Sequence, residues 1–130
     1  MAVITATTNN TPNYTLGIDI GSTTVKIAIL DESHQILFAD YERHFANIQE
    51  TLASLLSKAI DKLGEMTVHP VITGSGGLAL ATHLEVPFVQ EVIAVSSSLQ
   101  ELAPKTDVAI ELGVEDAKII CLLYTSDAAD

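Results

Sequence analysis

Leu16-Gly17-Ile18-Asp19-Ile20-Gly21-Ser22-Thr23-Thr24-Val25-Lys26 sets a carboxylate on an apolar strand that runs straight into a glycine turn rich in hydroxyls. Apolar residues continue on both sides of the turn, so the stretch reads as two antiparallel strands, Thr15–Ile20 and Val25–Leu30, with Asp19 at the rim of the first. Gly21 lets the backbone turn sharply and approach a ligand. The N–H groups of Ser22, Thr23 and Thr24 can then converge as a nest for an anion. Asp19 suits hydrated magnesium, an ion that keeps several waters and uses few carboxylates. Lys26, seven residues after Asp19, offers a point charge to phosphates. The same residues also fit a plain hairpin in which Asp19 and Ser22 cap the turn, and the turn alone leaves both readings open.

Working outward, Gln35–Tyr41 reads as a third strand after the turn chemistry of Asp31-Glu32-Ser33-His34. The period then changes: Ile48, Leu52, Leu55, Leu56, Ala59 and Leu63 form one stripe, which makes an amphipathic helix stopped at Gly64. Val68–Thr73 follows as a buried strand, Gly76–His83 as a short helix, Val86–Val89 as a strand and Glu91–Leu102 as a helix ending before Pro104. The order β-β-β-α-β-α-β-α predicts an α/β lobe with a five-stranded mixed sheet. Residues 1–14, Thr- and Asn-rich with Pro12, read as a flexible leader.

A second motif repeats the first. Glu111-Leu112-Gly113-Val114-Glu115-Asp116-Ala117-Lys118 again places a carboxylate, a glycine turn and a lysine seven residues on, between the apolar strands Asp107–Leu112 and Lys118–Ile120. Two such turns can clamp one polyphosphate from opposite sides. Gly113 and Glu115 join the phosphate-binding set by their position, and Asp116 or Glu115 is placed to orient water or metal.

Gly74-Ser75-Gly76-Gly77-Leu78-Ala79 satisfies G-x-G-x-x-A between a strand and a helix, with Glu91 at a distance suited to a ribose, which alone would suggest a dinucleotide. Such a fold opens with this unit, whereas three antiparallel strands precede it here. The same glycines, Gly74 and Gly76 among them, also fit a plain strand-to-helix turn. His34, His44, His69 and His83 share no metal-ligand spacing and read as surface or loop residues. Ser96-Ser97-Ser98 has no nucleophile elbow.

The 130 residues suffice for one cored domain, and 48% hydrophobic with 18% charged residues is a globular composition. A net charge of -11 disfavours nucleic acid and anionic membranes as partners. No apolar run reaches a membrane span and no signal peptide is seen, which implies the cytoplasm. One cysteine, Cys121, excludes an internal disulfide.

Acidic-x-Gly hairpins at the start of two ribonuclease-H-like lobes mark the superfamily of actin, heat-shock chaperones and sugar and acetate kinases. Within it, GIDIGSTTVK, VITGSGG and AIELGVEDAKII together resemble the ATPase activators of 2-hydroxyacyl-CoA dehydratases and benzoyl-CoA reductases, and FVQEVIAVSSSLQELAPKTDVAIELG is similar to their large multidomain members. The resemblance covers residues 15–120. It implies a first ribonuclease-H-like ATPase lobe at 15–106 and the first hairpin of a second lobe at 107–120. It also implies that Gly74 and Gly76 sit in the nucleotide cleft, with ATP and magnesium as cofactors and a dehydratase or reductase component as partner. The parent would be a homodimer whose four-iron four-sulfur cluster, with ligands outside this chain, passes a low-potential electron. Where the family has a second glycine this chain has Val114, and a β-branched residue resists positive φ. A small-molecule kinase of the same superfamily and a non-catalytic interaction domain are the competing functions. The last ten residues, CLLYTSDAAD, resemble the translation of a transposon adapter. That implies a metagenomic fragment, with 121–130 foreign to the protein.

Overall fold

A computed structural model describes residues 4–6, 14–112 and 117–121. They fall into two compact units, the first running to Phe88 and the second starting at Val89. Lobe one, as read above, extends to residue 106, whereas in the structure the helix Glu91–Leu102 falls in the same unit as the hairpin that follows it.

The first unit is a five-stranded mixed sheet in the order β1-β5-β2-β3-β4. Its strands are β1 (Ile4–Ala6), β2 (Tyr14–Ile20), β3 (Thr24–Leu30), β4 (Ile36–Arg43) and β5 (Met66–Thr73). β2, β3 and β4 form an antiparallel meander, and β5 lies parallel to β2 on one side and to β1 on the other. Period-2 patterning explains the layering. Leu16, Ile18 and Ile20 of β2 lie beside Val25, Ile27 and Ile29 of β3 and Val68 and Ile72 of β5, and all eight are buried. Onto this core pack Leu52, Leu55 and Ala59 of α1 (Ile48–Leu63) and Leu80 and Ala81 of α2 (Gly77–Leu84). α1 ends at Gly64, whose φ of 82° closes the helix as its N–H donates to the Ile60 carbonyl at 2.8 Å. At the β4 edge Lys58 of α1 binds Glu42 at 3.0 Å and Asp40 at 3.6 Å.

Two expectations are corrected. The segment read as a loose leader contains β1, which pairs Ile4 with Met66 and Ala6 with Val68. Val86–Val89 is not a strand: a single parallel bridge joins Phe88 to Ile72, where the Ile72 N–H donates to the Pro87 carbonyl at 2.9 Å. Pro87 has no N–H to return, so the ladder cannot propagate through it. One side of β5 is taken by β2, so β1 and Phe88 both lie along the other. The sheet keeps five strands, but the fifth is β1.

The second unit holds α3 (Glu91–Leu102) and an antiparallel hairpin of β6 (Val108–Leu112) and β7 (Ala117–Cys121). Its register repeats that of β2 and β3. Leu112 pairs with Ala117 across four intervening residues, as Ile20 pairs with Val25. Val108, Ile110, Leu112 and Ile119 on one face of this hairpin are exposed, whereas the matching residues of the β2–β3 hairpin are buried under helices.

Candidate functional site

At the ends of β2 and β5 two glycine turns meet. Asp19, the next-to-last residue of β2, is half-buried and stands opposite Lys26 on β3 and Thr73 on β5. Successive strand residues alternate faces, so Asp19, Lys26 and Thr73 share the face opposite the core. Lys26 is exposed, and the buried Thr73 Oγ1 has no hydrogen-bond partner among the described residues.

The first turn is closed by the Gly21 N–H donating to the Thr24 carbonyl at 2.9 Å. Ser22 is exposed and Thr23 half-exposed, and no backbone hydrogen bond among the described residues uses the N–H of either. Thr24 opens β3. The second turn docks directly on the first: the Gly76 N–H donates to the Ile20 carbonyl at 2.9 Å, and the Gly77 N–H closes on the Gly74 carbonyl at 3.0 Å. Gly74 has φ of 101°, and a β-carbon there would stand 2.3 Å from the Ile20 carbonyl oxygen. A side chain at Gly76 would press on Ile20 Cγ2 at 3.1 Å. Gly74 requires glycine because the backbones of the turns lie in contact there, whereas at Gly76 an added carbon would ask only that the Ile20 side chain give by a few tenths of an ångström. The structure thus brings Asp19, Gly21, Ser22, Thr23, Thr24, Lys26, Gly74 and Gly76 into one neighbourhood.

Residues 113–116 lie outside the described residues, so Gly113, Glu115 and Asp116, with Val114, have no placement. Their flanking strands do. Glu111 stands opposite Lys118 as Asp19 stands opposite Lys26, and Glu111 Oε2 is buried with no hydrogen-bond partner among the described residues. Lys118 Nζ also bonds Glu91 Oε2 at 2.5 Å. Glu91, the ribose partner of the dinucleotide reading, is therefore held by a lysine, and the parallel strand that should lead to it is reduced to the bridge at Phe88.

His44 is the residue missed by sequence reasoning. Read as a surface or loop histidine, it is only 8% exposed and sits behind the first turn. Its Nε2 bonds the Gly21 carbonyl at 3.0 Å, and its backbone N–H bonds the Thr23 carbonyl at 3.0 Å. Its spacing from the turn carries no sequence signal, because the contact crosses from β4 to the β2–β3 connection. Among the described residues no group of three or more His, Cys, Asp and Glu could hold a metal ion directly. No helix among them is long and apolar enough to cross a membrane.

No protein-family model matches the chain, and no curated protein matches it in sequence. Solved structures do match. Component A of (R)-2-hydroxyglutaryl-CoA dehydratase from Acidaminococcus fermentans has a TM-score of 0.73 at 22% identity, over 84% of this chain and 42% of that one. The activator of 2-hydroxyisocaproyl-CoA dehydratase from Clostridium difficile, solved with bound ADPNP, has 0.63 at 23% identity, over 83% of this chain and 40% of that one. The ethanolamine utilization protein EutJ from Carboxydothermus hydrogenoformans has 0.61 at 13% identity, over 83% and 47%. The chain therefore spans less than half the length of each of these three proteins. Its fold is the actin-like ATPase fold that these dehydratase activators share.

Proposed function

We propose that the chain carries the phosphate-binding first lobe of an ATPase that activates a 2-hydroxyacyl-CoA dehydratase or a related reductase. The observation that carries this reading is the docking of the two glycine turns, with the Gly76 N–H on the Ile20 carbonyl and Asp19 beside Gly74. Among the described residues the N–H groups of Ser22 and Thr23 have no backbone partner, and an array of such donors suits the phosphates of ATP. Asp19 would hold magnesium through water, and Lys26, on the same face, would add a positive charge to the phosphates. A single carboxylate fits this role, because magnesium bound beside phosphates keeps most of its waters. By their position in the second motif, Gly113 and Glu115 would add contacts to phosphate and Asp116 would orient water. Fold likeness to two dehydratase activators supports the partner class. On this reading the iron-sulfur cluster and electron transfer would belong to other parts of a cytoplasmic homodimer, as the resemblance implies.

The test is a titration of the isotope-labelled chain with magnesium and ATP, followed by amide resonances, beside a phosphate-release assay. Amides of 21–24 and 74–77 should shift with Mg-ATP and with Mg-triphosphate but not with adenosine. Affinity should be millimolar at best and turnover absent, because one exposed nest gives each contact little weight. Silent resonances in both turns overturn the site; micromolar binding with steady turnover overturns the two-lobe reading.

A further inference from the structure

His44 is a buried side chain with both ring nitrogens engaged. Nδ1 accepts from the Ala46 N–H at 3.0 Å. A nitrogen that accepts carries no proton, so the imidazole is the tautomer protonated at Nε2, and that N–H donates to the Gly21 carbonyl at 3.0 Å. The backbone N–H of His44 grips the Thr23 carbonyl at 3.0 Å. One residue thus holds two alternate carbonyls of the phosphate turn.

The consequence follows from peptide geometry. All peptide bonds of the described residues are trans, and in a trans peptide the C=O of one residue points opposite to the N–H of the next. Fixing the carbonyls of Gly21 and Thr23 toward β4 turns the N–H groups of Ser22 and Thr24 the other way, toward β2 and the Gly74 turn that docks on it. The loop that carries the imidazole is itself held in a disfavoured shape: Phe45 and Ala46, neither of them glycine, have φ of 46° and 68°. Such conformations persist only where surrounding contacts fix them. Here those contacts are the Ala46 N–H on His44 Nδ1 and the Asn47 N–H on the His44 carbonyl at 2.6 Å.

We propose that His44 is a positioning residue for the phosphate turn, orienting the N–H groups of Ser22 and Thr24 toward a bound polyphosphate by holding the carbonyls behind them. The role rests on the ATPase reading given above. It makes His44 a device of the β4–α1 connection rather than of the turn sequence itself.

The test uses the labelled chain and three variants, with Mg-triphosphate as probe. His44→Gln keeps an N–H donor at the reach of Nε2. His44→Asn keeps an acceptor near the Nδ1 position for Ala46 but falls short of the Gly21 carbonyl. His44→Leu keeps neither. The expected result is that His44→Gln binds within about twofold of the parent, while His44→Asn and His44→Leu bind about tenfold more weakly, the size expected for losing one buried hydrogen bond. The Asn variant keeps the loop contact, so it decides the matter even where the Leu variant fails to fold. A long-range ¹⁵N spectrum of the parent should show His44 protonated at Nε2. Parental binding in the folded Asn variant, or a spectrum with the proton on Nδ1, overturns the role of His44 alone. A parent whose turn amides ignore triphosphate overturns the ATPase reading and this proposal with it.

Discussion

Gly74 lies so close to Asp19 that a β-carbon placed on it would stand 2.6 Å from Asp19 Oδ1. The same β-carbon would meet the Ile20 carbonyl oxygen at 2.3 Å, and φ at Gly74 is 101°. Gly74→Ala therefore combines backbone strain with a clash against main chain, and should cost about 3 kcal/mol or more. Gly64→Ala isolates the strain: its φ is 82° and its ψ -168°, a region that only glycine occupies readily, but nothing lies within 4 Å of the added carbon, so strain alone, about 1–3 kcal/mol, is expected. Urea denaturation followed by circular dichroism compares them. Equal losses would show that the two turns are not in contact.

Asp19→Asn preserves shape while removing the charge at the junction of the turns. The chain should unfold within about 1 kcal/mol of the parent, since no core packing changes. Under the proposed function, the magnesium dependence of ATP-induced amide shifts should disappear. Unchanged magnesium dependence would leave Asp19 with a structural role only.

The core rests on α1, and Leu55 at its centre is 0% exposed. Leu55→Ala should destabilise the first unit by about 2–5 kcal/mol through lost burial and a residual cavity. Leu84→Ala, at 48% exposure on α2, should change stability by less than about 0.5 kcal/mol. Thermal melts of the two variants rank them, and similar melting points would contradict the packing of α1 on β3 and β4.

Lys58 has its pKa raised above the ordinary 10.5, first by its hydrogen bond to Glu42 and then by the charges of Glu42 and Asp40. A lysine whose folded value is raised stabilises the protein fully below its unfolded pKa and loses that contribution as pH rises through the folded value. The window therefore lies above 10.5. Lys58→Met should flatten the decline of melting temperature with pH in that alkaline range. The change will be small, because the side chain is exposed and screened. An identical alkaline slope in the variant would mean that the pair contributes nothing.

The β2–turn–β3 hairpin and α1 were legible in the residues because their information is local: period-2 alternation across Leu16–Leu30 and a period-3.6 stripe from Ile48 to Leu63 state which face is buried. The register of Glu111 against Lys118 was implied the same way, by a seven-residue echo of Asp19 and Lys26. Tertiary structure decided what depends on partners far along the chain. Ile4–Ala6 is too short to announce itself as a strand, and becomes one only because the β5 edge beside Met66–Val68 offers hydrogen bonds. Val86–Val89 has strand composition, yet Pro87 leaves it a single bridge. The burial of His44 behind Gly21 and the contact of Gly74 with Asp19 exist only once β4 and β5 have folded against the first hairpin. Composition and spacing encode which residues seek burial or turns, but a contact between turns is set by where the sheet brings their ends.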